Sequence, residues 1–513
     1  MNCDFKQNFS WFFQGLSIFA ACIFLGSAAN AKDDKFDSPQ YVGSASCRSC
    51  HVDAVKDWQG SHHALAWTSP SAETISGAFD GRVFTHQGNT TRFLQENGQY
   101  VFETEDVKGG KRRLAVVGVA GVEPLQQYIV ETAPGRMQSF DVVWDVKLER
   151  WFHLYPDQDL SPENGLHWSG PYKNWNARCA ECHATGFEKR FNPKRKQYQS
   201  RQAEIGVGCE ACHGPAQAHI EWARSDNHLD VKRWSGTNDV GLLINLSRDE
   251  SAKAEIRGYL AGTKRPLSQF SNTETQIQQC AGCHSRRETF EDGNPLPGTP
   301  FHDAYRLSNL RSELYHPDGQ IKDEVYVFGS FLQSKMYAKG VACTNCHSPH
   351  TAQLKLEGNA LCEQCHSAAG NPDFPSLALK EYSNTPHTHH AEESDGSECK
   401  SCHMIERTYM GVDGRRDHSF RIPRPDLSTQ TQAPNACNDC HQDKTSRWAA
   451  AKVADWFPNS TRRGPHFSQI LKAARTDLRA QVGALVGMAE YDQLPAIVRA
   501  TALEMLVPLA NPS

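Results

Sequence analysis

Eight times along the chain two cysteines stand three apart and are followed at once by a histidine. The units are Cys47/Cys50/His51, Cys179/Cys182/His183, Cys209/Cys212/His213 and Cys280/Cys283/His284. The remaining four are Cys343/Cys346/His347, Cys362/Cys365/His366, Cys399/Cys402/His403 and Cys437/Cys440/His441. Of the 18 cysteines only Cys3 and Cys22 fall outside this pattern. Two thiols at this spacing can bond the two vinyl groups of a haem, and the adjacent imidazole can turn onto its iron. Disulfides would not require a histidine after every second cysteine. Zinc sites would need paired Cys units or Cys-His pairs at finger spacing. The expected cofactors are therefore eight covalently attached haem c groups, each with its iron.

An iron held by one imidazole needs a sixth ligand or leaves a position open. The chain has 23 His, fifteen of them outside the units, but only 7 Met. Bis-histidine ligation is the natural expectation, and methionine ligation, which raises potentials, has little to draw on. The best distal candidates are His62 and His63, expected on a helix after the first unit, with His219, His350 and His418. The cluster His387, His389 and His390 can supply one or two more. His153 and His167 are weaker, and serve equally as strand or pocket residues. His86, His228, His302, His316 and His466 are read as surface groups.

The surroundings of the units carry a resemblance. Tyr41-Val-Gly-Ser-Ala-Ser-Cys-Arg-Ser-Cys-His, Gly208-Cys-Glu-Ala-Cys-His-Gly-Pro and Gly340-Val-Ala-Cys-Thr-Asn-Cys-His-Ser-Pro-His are similar to one large group of cytochromes. So is the stretch from Cys399 through Tyr409-Met-Gly-Val-Asp-Gly-Arg-Arg-Asp-His-Ser-Phe420. The group is the multihaem cytochromes c related to the tetrahaem cytochrome of ammonia oxidisers, pentahaem nitrite reductase and octahaem hydroxylamine oxidoreductase. Within it the chain resembles, over about residues 41–513, an octahaem subgroup whose C-terminus continues into helical repeats. The resemblance implies haems in parallel and perpendicular pairs, and it implies His219, His350 and His418 as distal ligands. Two departures matter. All eight units end in His, whereas pentahaem nitrite reductases typically carry a lysine at the catalytic haem. The crosslinking tyrosine of hydroxylamine oxidoreductase has no clear counterpart, since Tyr491 stands in a different context.

Two functions fit these residues. One is electron transfer through closed, mostly bis-histidine haems between redox partner proteins, a quinol-linked donor and a periplasmic or outer-membrane acceptor. The other is an oxidoreductase acting on a small nitrogen or sulfur compound, of the nitrite, hydroxylamine or tetrathionate class, at one five-coordinate haem. Candidate catalytic residues for the second are Tyr409, Arg415, Arg416 and Asp417, with Lys335, His153 and His167 behind them. Each has a plainer reading: the arginines pair with haem propionates and Tyr409 packs on a porphyrin face.

The elements that must place these groups follow from the rest of the chain. Residues 1–31 have an apolar run from Trp11 to Leu25 and an A-x-A site at Ala29-Asn30-Ala31, the pattern of a cleaved export signal. No later run is long enough to span a bilayer, so the mature protein is expected in the periplasm. Residues 32–76 form a first haem segment. Residues 77–178 contain runs of strand type at Gly81–His86, Tyr100–Thr104, Leu114–Val119, Gln127–Glu131 and Phe140–Trp144, separated by turn signals. They are read as a β-rich insertion. Residues 179–443 hold seven units, a density that leaves haem itself as the interior. Residues 444–513 lack cysteine and show helical spacing, at Ser446–Trp456 and Phe467–Met488, ending in a HEAT-like helix after Pro495. The expected fold is a mainly α multihaem cytochrome c with little regular structure, a β-rich insertion and a short helical-repeat tail. The net charge of −5 offers no basic footprint for nucleic acid.

Overall fold

The computed structural model describes residues 39–105, 110–225, 238, 240–246 and 272–510. The export signal at 1–31 and His228 lie outside the described residues. Among the described residues no helix is long and apolar enough to cross a membrane.

The mainly α expectation is corrected by the structure: it is 32% helical and 19% strand, and one large antiparallel sheet dominates its first third. Eight strands build that sheet: β1 Val83–His86, β2 Asn89–Glu96, β3 Gln99–Glu105, β4 Lys111–Ala120, β5 Leu125–Ala133, β6 Arg136–Ser139, β7 Val142–Asp145 and β8 Arg150–His153. Their order is β1-β2-β3-β4-β5-β7-β8, with β6 pairing on β5. The first two hairpins close through Gln87-Gly88 and Asn97-Gly98, all four residues at positive φ. That is the tight turn whose twist matches paired strands.

Alternation puts Phe93, Phe102 and Leu114 opposite one another on one face of β2, β3 and β4. They meet Phe79, Tyr128, Phe140 and Trp151 in a buried aromatic core. Phe93 of β2 lies flat on Trp151 of β8, with ring centres 3.7 Å apart. His86 of β1 stacks on His153 of β8 at 4.0 Å. The two ends of the sheet therefore approach each other and the sheet curls nearly into a barrel. The physical reason for the correction is that this segment buries its own aromatic core, so it is a full β structure, while the helices of the haem-binding segment are mostly single turns.

A second core joins residues 277–342 to the C-terminal helices. Ile277, Phe301, Leu310, Tyr315 and Phe328 pack with Leu471, Leu485 and Val498. The tail helices are Ser446–Trp456, Phe467–Thr476, Val482–Glu490 and Ala496–Ala510; the long helical run expected from Phe467 to Met488 is broken in two. The tail is fixed by polar contacts too. Arg475 donates to the carbonyls of Tyr315 and Leu310, at 3.0 and 2.8 Å, and Arg311 pairs with Glu504 at 2.7 Å.

Candidate haem-binding centre

Each unit sits on a short helical turn. The amide of the unit's histidine donates to the carbonyl of its first cysteine in His51, His284, His347, His366 and His441, at 2.8–2.9 Å. Positions three and four apart share one face of such a turn, so both thiols and the imidazole point the same way. All eight units line one continuous cavity of about 3790 Å³, to which every unit residue except Cys179 contributes. A single-ligand pocket holds roughly 300–1,000 Å³, so this space suits several large groups. Its walls are mostly apolar, which suits porphyrin faces.

Six unit histidines face a second histidine across this cavity. The pairs are His51–His219 with ring centres 6.0 Å apart, His284–His63 at 6.2 Å and His213–His350 at 6.4 Å. His347–His418 stand at 6.4 Å, His403–His387 at 6.3 Å and His441–His390 at 6.2 Å. Two metal–imidazole bonds of about 2.0–2.1 Å span about 4 Å, and two half-rings make up the rest. The donor set and the spacing thus fit an iron between each pair. Burial pushes the imidazole of His284 down to about 4 and those of His213, His347 and His403 in the same direction. The neutral ring, which is the ligating form, is therefore favoured. Several Nδ1 atoms are fixed by main-chain carbonyls: His403 by Arg421 at 2.6 Å, His418 by Arg416 at 2.9 Å and His219 by Val240 at 2.7 Å. Such bonds turn Nε2 into the cavity.

The units also lie next to one another. Thiols face each other between Cys47 and Cys209, Cys182 and Cys283, Cys280 and Cys343, and Cys362 and Cys399. Farther apart but in electrostatic reach are Cys212 with Cys280, Cys346 with Cys365, and Cys402 with Cys437 and Cys440. Together these neighbours trace one path through all eight units, and the Cys280 unit stands at its branch point.

Several expected residues go elsewhere. His62 is half exposed and lies 3.6 Å from Glu123. It and His63 sit in turns after the helix Val52–Trp58 rather than on a helix. His389 packs on Trp456 outside the cavity. Tyr409 and Arg415 stand on the hairpin Glu406–Tyr409 and Asp413–Arg416. Arg415 is held by Glu324 and Asp413 at 2.6 and 2.7 Å. Arg416 donates to the Met404 carbonyl and pairs with Glu406, both at 3.0 Å. Asp417 is buried, and its carboxylate accepts from the amides of Ile321 and Ser419, so it holds the turn that presents His418. Lys335 lines the main cavity. Arg415, Arg416 and Asp417 line it as well, and Tyr409 is not among its lining residues.

Among the described residues no histidine stands at the pairing distance from His183 or His366. His366 meets the ring of Tyr382 edge-on at 6.2 Å. His183 donates from Nδ1 to the Ala66 carbonyl at 2.8 Å and packs against Trp175. Near the cysteines of its unit are Lys173, Glu324 and Arg178, with Tyr326 and Arg415. Lys173 is buried and pairs with Asp141 at 2.7 Å, its ammonium lying 4.6 Å over the Tyr155 ring. Burial raises the Asp141 carboxyl to about 6, and burial together with His86 lowers His153 to about 4. His153 and His167 adjoin this group, as their mutual influence with Lys173 shows. Tyr326 holds a left-handed backbone, φ 59°, with Arg415 5.6 Å over its ring. Sequence reasoning missed Lys173, Asp141 and Tyr326. Nothing in the spacing marks the Lys173–Asp141 pair, and a strained tyrosine has no sequence signature.

Two family models match the chain. That of cytochrome c554 and c-prime matches residues 46–85 and 161–214, and that of the doubled CXXCH motif matches residues 335–371. No curated protein matches. Among solved structures, the crystal structure of the outer cell wall cytochrome OcwA is similar at 16% identity and a TM-score of 0.51. The match covers 91% of this chain and 98% of that one, and it is a likeness of fold.

Proposed function

We propose that this chain, a multihaem c-type cytochrome, carries eight haems and transfers electrons in the periplasm, most of its irons being closed by two histidines. The observation that carries the reading is the set of six histidine pairs at 6.0–6.4 Å. Haem c, when bound, supplies one-electron redox chemistry. The chain's own part is to attach it through the paired cysteines and to orient one imidazole of several pairs by an Nδ1 bond to a main-chain carbonyl, as in His219, His390, His403 and His418. It also keeps neighbouring units within reach of one another. The export pattern at 1–31 supports a periplasmic location. Redox partner proteins follow from the function, a quinol-linked donor and a periplasmic or outer-membrane acceptor being the fitting classes.

A second reading has its own observation. His183 faces no described histidine, and buried Lys173 and Asp141 with half-buried His153 and His167 gather beside its unit with Tyr326 and Arg415. There the chain supplies positive charge for a small anion and groups that hold or give protons. On this reading the protein acts on a small nitrogen or sulfur compound at that unit.

One experiment separates the two. The haem content per chain is measured on the exported protein, and its oxidised EPR spectrum is recorded with and without nitrite and hydroxylamine. Eight haems with low-spin signals indifferent to both ligands uphold the carrier. A high-spin signal that shifts with either ligand and is altered in His153→Gln upholds the second reading. Fewer than eight haems overturns the octahaem proposal.

A further inference from the structure

The segment Thr385-Pro-His-Thr-His-His390 supplies a histidine to each of the last two units. Asn384 caps it by accepting the His387 amide at 3.0 Å, which starts the single helical turn Thr385–Thr388. The turn stops at His389, which takes the left-handed conformation, φ 55° and ψ 24°. That reversal sends the two flanking rings apart. His387 faces His403 at 6.3 Å with planes 6° apart, and His390 faces His441 at 6.2 Å. The Thr388 carbonyl holds His390 Nδ1 at 2.6 Å. Gly396 leaves room under that ring, since a Cβ there would meet it at 2.2 Å.

A histidine in this conformation is strained, and its Nε2 is buried without a partner among the described residues. Glycine would avoid both costs. What histidine gains is a contact: its ring lies flat on Trp456, 4.4 Å away with planes 7° apart, and edge-on to Phe457. Trp456 ends the tail helix Ser446–Trp456, whose Trp448 packs on His441 at 5.1 Å. One helix of the tail therefore touches the Cys437 unit and the segment that completes it.

We propose that His389 is a positioning residue: its stack on Trp456 anchors the reversal that divides His387 and His390 between the last two haems. This rests on the bis-histidine reading above. The tail helix then sets the axial geometry of two haems, beyond closing the core.

The test uses full-length, haem-loaded protein and two readouts, the low-spin EPR signals when oxidised and carbon monoxide uptake when reduced. His389→Gly keeps the left-handed backbone and removes the stack. Trp456→Leu removes it from the other side, and Trp456→Phe retains a flat ring. The expected result is shifted or lost low-spin signals and a gain of carbon monoxide sites in His389→Gly and Trp456→Leu, with Trp456→Phe like the wild type. His389→Asn, which also tolerates the left-handed region, replaces the glycine variant should that one fail to load haem. Wild-type spectra and uptake in both stack-removing variants overturn the proposal. His387→Gly and His390→Gly control the premise: unchanged uptake in both means that these are not ligands, and the bis-histidine reading fails first.

Discussion

Removing one distal histidine should open one iron. His350 is the cleanest choice, because it faces His213 at 6.4 Å from a loop that packs in no apolar core. About 4 Å of that separation is two metal–nitrogen bonds, so a glycine at 350 leaves a gap the size of one imidazole. His51 and His219 also lie in electrostatic reach of His213, but they face each other at 6.0 Å and are not free to fill it. The reduced wild type should take up carbon monoxide only at the units of His183 and His366, at most two per chain. His350→Gly should add one, and free imidazole in the buffer should compete that site away. The assay is titration of the dithionite-reduced protein followed by its Soret absorbance. No added site in a variant with full haem content would refute the pairing argument, and so would an added site that imidazole leaves open.

Other consequences can be checked by stability measurements. His466 caps the helix Phe467–Thr476 by accepting the Ser468 amide, and burial first, then Arg421, pushes its pKa down to about 4. Its folded pKa lies below the unfolded value of about 6.5, so its contribution is full above that pH and is lost as pH falls toward 4, by at most about 3 kcal/mol. Urea melts should show this slope reduced in His466→Asn, which still caps; an unchanged slope would end the idea. Lys173→Met strands the buried Asp141 carboxylate and should cost about 3–5 kcal/mol, most of it recovered when Asp141→Leu is added; a double-mutant cycle in denaturant measures the coupling. Truncation after residue 466 strips Leu310 and Tyr315 of their partners Leu471, Leu485 and Val498. The shortened chain should fail to accumulate as haem-loaded protein, and a cooperative melt from it would show that the core is not shared.

How much of this was legible depended on whether chemistry or packing decided the matter. The eight units need no structure to be seen, because their spacing is their chemistry. His219, His350 and His418 stand out by their place after a unit or in a resembling stretch, and each faces a unit histidine. Tandem histidines are different. His62 and His63 differ by one residue, and only the turn they occupy sets one against His284 and the other beside Glu123. His389 and His390 are likewise divided by a left-handed residue that no periodicity announces. The strand-like runs each overlap a strand, since alternation reports a half-buried sheet directly. What alternation does not report is closure. The approach of β1 to β8 rests on contacts such as Phe93 with Trp151, between residues far apart in the chain, and so the weight of the β structure was underestimated.

The histidine pairs differ in how far the chain must travel between partners. His387 and His403 are near neighbours in sequence, whereas His63 must wait for His284 and His213 for His350. In the far pairs the intervening loop is about 140 to 220 residues, yet each doubling of loop length adds only about 0.6 kcal/mol to the entropy of closure. The penalty is thus one of order more than of energy. A chain that emerges N-terminus first presents its early units long before their opposite imidazoles exist. Assembly should then follow the direction of synthesis, the His51 site closing once His219 has arrived and the His441 site closing last, with the early units waiting longest for their partners. On the proposed export route, the early units would have to be protected until the segments bearing His219 and His350 are delivered.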